Sequence, residues 1–250
     1  MVKAVRGGRH DLVARLLQNP RGVDLNQKIW IASNRAFNLL EFACWAGDLE
    51  TVRVLLQDPR TSPGVNFSRS LRLAVRNGHF EIVRLILQCK DIDAGAKFDY
   101  AVRRCCRWGH LQILRLLLCR SDVDPSARDN EAVIEAALNG YVEITRTLMR
   151  HPKVDPAARY NTAIGLASKW GETEIVQLLL SDPRVDPSDD SNWALRQASA
   201  NGHVDIVRLL LSHPKVDDRD FEALKSAIEN RHLPCIECLL SQLGISFTIN

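Results

Sequence analysis

Seven glycines, Gly8, Gly47, Gly78, Gly109, Gly140, Gly171 and Gly202, stand in register: the first interval is 39 residues and each of the next five is 31. Arg231 follows 29 residues later in the same context. Self-similarity at a period of this size marks a repeat array, in which each repeat is one supersecondary unit. Four residues ahead of each marker comes a small residue: Ala4, Ala43, Ala74, Cys105, Ala136, Ala167, Ala198 and Ala227. Seven ahead stands an aliphatic one, Leu40, Leu71, Val102, Val133, Ile164, Leu195 or Leu224. Eight and nine residues after it lies an apolar pair, from Leu16-Leu17 to Leu239-Leu240.

Each unit reads as two short helices. The first runs for about nine residues, with its apolar and small positions three apart and so on one face. The glycine supplies the left-handed conformation that ends it. The second helix is rich in Leu, Ile and Val and must be largely buried. Its outer side carries Arg53, Arg84, Arg115, Arg146 and Arg208, with Glu81, Glu143 and Asp205 placed three residues ahead of their partners for solvated ion pairs. A proline turn and an apolar–acidic pair follow, as in Asp182-Pro183-Arg184-Val185-Asp186. Proline stops the helix. Val123, Val154, Val185 and Val216 are expected to plug the seams between units, and the aspartates after them to bond nearby backbone N–H groups. A helix pair this small cannot bury its own apolar face, whereas a stack of them can. The fold class expected is therefore an all-α solenoid of helix-turn-helix repeats.

Asn201-Gly202-His203-Val204-Asp205-Ile206-Val207-Arg208-Leu209-Leu210-Leu211 resembles the central stretch of an ankyrin repeat, and Gly78-His79-Phe80-Glu81-Ile82-Val83 repeats it. The resemblance extends over residues 1–250 as a single array of about seven full repeats and a truncated first one, with the first and last acting as caps. The sequence departs from the family in a period of 31 rather than about 33. The family's Thr-Pro-Leu-His is replaced by Thr162-Ala163-Ile164-Gly165 or Trp193-Ala194-Leu195-Arg196, and its loop glycine by Pro59, Pro152, Pro183 and Pro214. Short or irregular turn fingers are the expectation. Eight extra residues fall around Leu25 to Phe37, between the first two markers.

No run is long and apolar enough to span a membrane, no secretory signal opens the chain, and seven scattered cysteines are not a disulfide framework. An intracellular, cytoplasmic monomer is the expectation. Cys235-Ile236-Glu237-Cys238 lacks the further ligands a zinc site needs, and His79, His110 and His203 are one repeat position rather than a triad. Nucleotide-binding, metalloprotease and hydrolase signatures are missing. No enzyme, catalytic residue, metal or cofactor is expected.

The column just ahead of the glycine marker is a different matter. Trp45, Trp108 and Trp170 stand there among Arg76, Arg107 and Lys169, while Arg72 and Arg103 occupy the place of the family's histidine. By resemblance these positions border the concave groove that commonly binds partner proteins. Trp and Arg dominate interface energetics. The competing reading has each Trp fold over its neighbour's helix end and seal the stack. Residues 1–120 carry 20 Lys+Arg against 10 Asp+Glu, and the remainder 13 against 20. The leading function is a non-catalytic interaction module or scaffold for a partner protein with an acidic, partly apolar segment. Nucleic-acid binding through Arg69, Arg72, Arg76, Arg103, Arg104 and Arg107, with Tyr100 and Trp108 stacking, is one alternative, and salt-dependent self-association another.

Overall fold

A computed structural model describes residues 35–217 and 221–244 throughout, together with residues 11, 14–15, 25 and 29–31. The expected first repeat around Gly8 and most of the insertion ahead of Arg35 lie outside the described residues. The chain divides into two compact units, Met1–Asp124 and Pro125–Asn250.

Among the described residues, the first unit holds three helical hairpins: α1 (Leu39–Ala46) with α2 (Leu49–Leu56), α3 (Val65–Arg76) with α4 (Phe80–Ile86), and α5 (Ala96–Trp108) with α6 (Leu111–Leu118). The insertion contributes a two-stranded antiparallel hairpin, β1 (Ile29–Ile31) and β2 (Arg35–Phe37), with Ile29 opposite Phe37. The second unit pairs α7 (Ala127–Leu138) with α8 (Val142–Met149), α9 (Ala158–Trp170) with α10 (Thr173–Leu180), α11 (Asp189–Ala200) with α12 (Val204–Leu211), and α13 (Glu222–Glu229) with α14 (Leu233–Gln242). Within each unit the first helices pack side by side and the second helices form a parallel layer behind them. Both units are all-α solenoid stacks, as the periodicity predicts.

The pattern explains the packing. The small residue four ahead of the marker is fully buried at Ala43, Ala74, Cys105, Ala136, Ala167 and Ala198, which lets adjacent first helices approach closely. On the second helices Leu55, Ile86, Leu117, Leu148, Leu179 and Leu210 are fully buried, each worth about 1.5–3 kcal/mol. Val123, Val154, Val185 and Val216 are buried at the seams. The described marker glycines, Gly47 to Gly202, have φ between 74° and 81°, a left-handed helix end. They are constrained a second time: a Cβ on Gly47 would stand 2.6 Å from the His79 ring, and one on Gly171 2.7 Å from His203. Each of those rings bonds the end of the preceding first helix, His79 Nε2 at 3.3 Å from the Trp45 carbonyl and His203 Nε2 at 3.0 Å from that of Lys169. The recurrent histidine is thus a repeat-to-repeat lock.

The fingers are short, and they share one form that the sequence does not announce. Lys97-Phe98-Asp99, Arg128-Asp129-Asn130, Arg159-Tyr160-Asn161 and Asp190-Ser191-Asn192 are each a left-handed turn, φ between 50° and 61°, and Asn66 and Ser68 open α3 the same way. The right-handed helix starts only afterwards, so the stretch from Tyr100 to Trp108 is the nine-residue helix the pattern predicts. Left-handed backbone costs roughly 1–2 kcal/mol per residue for side chains other than Gly, Asn and Asp. Hydrogen bonds offset that cost. One backbone bond closes each turn, such as Asp99 N–H to the Gly95 carbonyl at 2.9 Å. In every finger but Asp190-Ser191-Asn192 the third residue then accepts an N–H from the next repeat's loop: Asp93 to Ser68 Oγ at 2.9 Å, and Asp124 to Asp99, Asp155 to Asn130 and Asp186 to Asn161, each at 2.8 Å, whereas Asn192 donates its Nδ2 to the Asp217 carbonyl at 2.8 Å. The Arg159 guanidinium also donates to the Arg128 carbonyl, tying one finger to the next. The aspartates behind the valines bond backbone N–H groups as expected, Asp155 to Ala157 at 3.0 Å and Asp186 to Ser188 at 3.1 Å.

Candidate functional site

In the first unit the residue column ahead of the glycine marker meets the β-hairpin. Asn38 caps α1, its Oδ1 accepting the Glu41 N–H at 2.7 Å while Glu41 Oε2 accepts the Asn38 N–H at 3.1 Å. That box holds a buried carboxylate beneath the surface, and Arg69 neutralises it at 3.1 Å while also donating to the Ala36 carbonyl at 2.8 Å. The Arg69 guanidinium lies over the Phe37 ring, 4.9 Å from its centroid. Trp45, at the end of α1, packs against Phe37 at 6.0 Å and Phe42 at 5.7 Å. Its carbonyl also accepts from Asn77 Nδ2 at 2.8 Å. The Trp45 ring is thus partly covered by its own helix and the hairpin, and its remaining surface faces a recess.

That recess, about 240 Å³, is lined by Phe37, Trp45, Arg69, Arg72, Leu73, Arg76 and Tyr100. Arg72 donates to the Asn66 carbonyl at 3.0 Å and lies 5.3 Å from the Tyr100 centroid. Burial lowers the Arg72 pKa, and neighbouring Arg69 adds to that effect. Arg104 covers the same ring at 4.7 Å, and its buried Nε has no hydrogen-bond partner among the described residues. Arg76 ends α3 exposed to solvent.

Arg103 departs from the expected column of accessible groups. It is only 8% exposed, and its Nε and Nη2 donate to the carbonyls of Phe98 and Lys97 at 3.0 and 3.3 Å. The left-handed finger turns its carbonyls toward this side chain, so Arg103 braces the finger instead of facing a partner. Arg107 and Trp108 form a pair at the end of α5, with the guanidinium 5.9 Å from the indole centroid and the indole 49% exposed.

In the second unit Lys169 and Trp170 end α9 in the same way, the ammonium 5.6 Å from the ring and the indole 58% exposed. The column that holds Arg72 and Arg103 in the first unit holds buried Ile134 and Gly165 here, and then Arg196, whose Nη2 donates to the Asp190 carbonyl at 2.9 Å. Gly165 leaves room for Trp193 of the next repeat, whose ring would lie 1.9 Å from an added Cβ.

The structure thus brings Trp45, Arg72 and Arg76 to one recess, pairs Arg107 with Trp108 and Lys169 with Trp170, and withdraws Arg103. The two most exposed aromatic residues among those described escape the sequence reading: Phe98 and Tyr160, 72% and 79% exposed on their fingers. Their recurrence two periods apart was the available signal.

All seven cysteines are free thiols, and burial pushes those of Cys44 and Cys105 well up from the usual thiol range. Cys235 is a buried core residue. Among the described residues no cluster of His, Cys, Asp and Glu could hold a metal ion, and no helix is long and apolar enough to cross a membrane. A family model for ankyrin repeats matches the chain three times, over residues 40–129, 100–191 and 164–250. No curated protein matches the chain in sequence.

Proposed function

The chain belongs to the ankyrin-repeat family, whose members generally serve as protein–protein interaction modules, and on that premise we propose that it is a non-catalytic adaptor holding a partner protein at the ends of its first helices. The observation that carries the reading is the paired arrangement of Arg107 with Trp108 and Lys169 with Trp170. Each unit presents a half-exposed indole with a cation over its face at the same repeat position. An indole held this way offers a large apolar area that loses little freedom on binding. Half-exposed tryptophans also contribute less to the core than buried ones, which makes a binding role the better account of two such positions.

Affinity purification of the whole chain beside a Trp108→Ala/Trp170→Ala variant tests the proposal. A partner retained by the native chain should be weakened by about tenfold or more in the variant, with melting temperature and helicity unchanged. Undiminished capture by the variant would sink the reading. Trp45 is left out of the variant because its contacts with Phe37 and Phe42 make loss of folding and loss of binding inseparable.

A further inference from the structure

The recess of the first unit combines an apolar wall with a cationic edge. Its walls at Phe37, Trp45, Leu73 and Tyr100 are apolar or aromatic, and its edges are guanidinium groups from α3 and α5. The charges are unequal. Glu41 is the carboxylate beneath the recess, and it is already bound by Arg69, by Asn66 Nδ2 at 3.1 Å and by the Asn38 N–H. Arg76 and Arg104 have no carboxylate partner among the described residues. Tyr100 carries the guanidinium groups of both Arg72 and Arg104 against its ring, so a further cation would be repelled. A volume near 240 Å³ accommodates one large side chain, not a helix.

We infer that this recess seats a single large apolar or aromatic side chain from an acidic segment of a partner protein, with carboxylates before and after that side chain meeting Arg72 and Arg76. The inference rests on the reading of this unit as a protein-binding surface and names the chemistry of what it binds. Apolar burial supplies the anchor and charge-assisted bonds set the register. Charge complementarity is the argument for this occupant. A nucleic-acid strand needs cations arranged along its backbone, whereas these converge on one recess, and Arg69, Arg72 and Arg103 already donate to protein acceptors.

The test uses the whole chain and a fluorescein-labelled peptide with a central phenylalanine flanked on each side by two glutamates, read by anisotropy. The native chain should bind it saturably, with affinity falling as salt rises. Exchanging the phenylalanine for glycine, or the glutamates for lysine, should each weaken binding by about tenfold or more. Arg76→Glu should do the same, and Arg76→Gln should fall between. The Arg76 side chain ends α3 in solvent, and the carbonyl that meets His110 Nε2 at 3.4 Å is kept in both variants, so helicity should hold and melting should move only by the small effect of charge at a helix end. No saturable binding, equal binding of the glycine peptide, or full binding by Arg76→Glu would each overturn the inference. So would tighter Arg76-dependent binding of a phosphotyrosine peptide or of an oligonucleotide. Failure here remains distinct from failure of the adaptor reading: a partner lost by Trp108→Ala/Trp170→Ala but held by Arg76→Glu leaves the adaptor and removes this occupant.

Discussion

The finger that opens α5 in the first unit ends in Asp99, where the fingers that open α7 and α9 in the second unit end in Asn130 and Asn161. All three side-chain oxygens accept a backbone N–H from the next loop at 2.8 Å. The backbones agree too, with φ of 54°, 61° and 56° at the three residues. At these three fingers the bond is made by an oxygen on a residue tolerant of left-handed backbone, and charge is not needed for it. In the first unit the charge is a liability: burial, then the carboxylates of Asp124 and Asp93, push the Asp99 carboxyl up to about 6 against the Asp124 N–H and Arg103. A second contrast lies four residues further along. Arg103 braces its own finger, whereas Gly165 at the same repeat position makes space for an aromatic ring from the next repeat. One backbone pattern thus accommodates a finger-bracing arginine at Arg103, and again at Arg196, as well as a ring-packed glycine at Gly165.

The sharpest way to break the contrast is to remove the space at Gly165. Alanine raises helix propensity by about 1 kcal/mol, yet its Cβ would fall 1.9 Å from the Trp193 ring. Overpacking should win, with Gly165→Ala losing about 3 kcal/mol in denaturant melts. Trp193→Ala in the same chain should recover much of that loss, giving a large coupling in a double-mutant cycle. Independent effects of the two substitutions would show that the ring is not what keeps the position small.

Next in size is Arg103→Met, which keeps an apolar stem and deletes the donors to two finger carbonyls. A loss of about 2 kcal/mol is expected. Arg196→Met in the second unit removes one such bond, to the Asp190 carbonyl at 2.9 Å, and should lose about half as much. Equal losses at the two sites would mean that stem packing, not finger bracing, dominates.

Asp99→Asn should act in the opposite direction. A folded-state pKa near 6 lies above the unfolded value of about 3.9, so the folded chain binds this proton more tightly. Ionisation of Asp99 then removes stability as pH rises through 6, and stability returns as pH falls toward 4. Asparagine, acceptor without charge, should raise stability by about 1.5 kcal/mol at pH 7.5, with the advantage gone near pH 4. Thermal melts of both proteins at the two pH values check the sign. A variant no more stable than the native chain at pH 7.5 would mean that solvent reaches the carboxylate.

The helix pair was legible in the sequence because its determinants are local and repeat: a glycine forced to positive φ, a small residue one turn ahead, an apolar pair behind. The finger was not. Its left-handed residues include Lys97, Phe98, Arg159 and Tyr160, none of which favours that backbone, and what holds them is a hydrogen bond from a loop 25 residues away. The site was legible as columns, and the exposed indoles of Trp108 and Trp170 stand where the repeat arithmetic put them. Arg103 and Trp45 show the limit. Which way their side chains turn depends on where the finger carbonyls point and on Phe37 from the β-hairpin, and neither follows from the repeat period.

The smallest effect belongs to the face on which the two units agree. Glu81 pairs with Arg84 at 2.6 Å on α4, and Glu143 with Arg146 at 3.2 Å on α8, both one helical turn apart and both largely in water. Exposed pairs at this spacing are worth about 0.3–0.5 kcal/mol, because solvent screens them and two long side chains lose freedom. Arg84→Ala and Arg146→Ala should each shift stability by no more than about 0.5 kcal/mol, and alike in the two units. A clear difference between them would show that the second helices also carry unit-specific chemistry, and that charge divides the units on both helix layers instead of at the first helices alone.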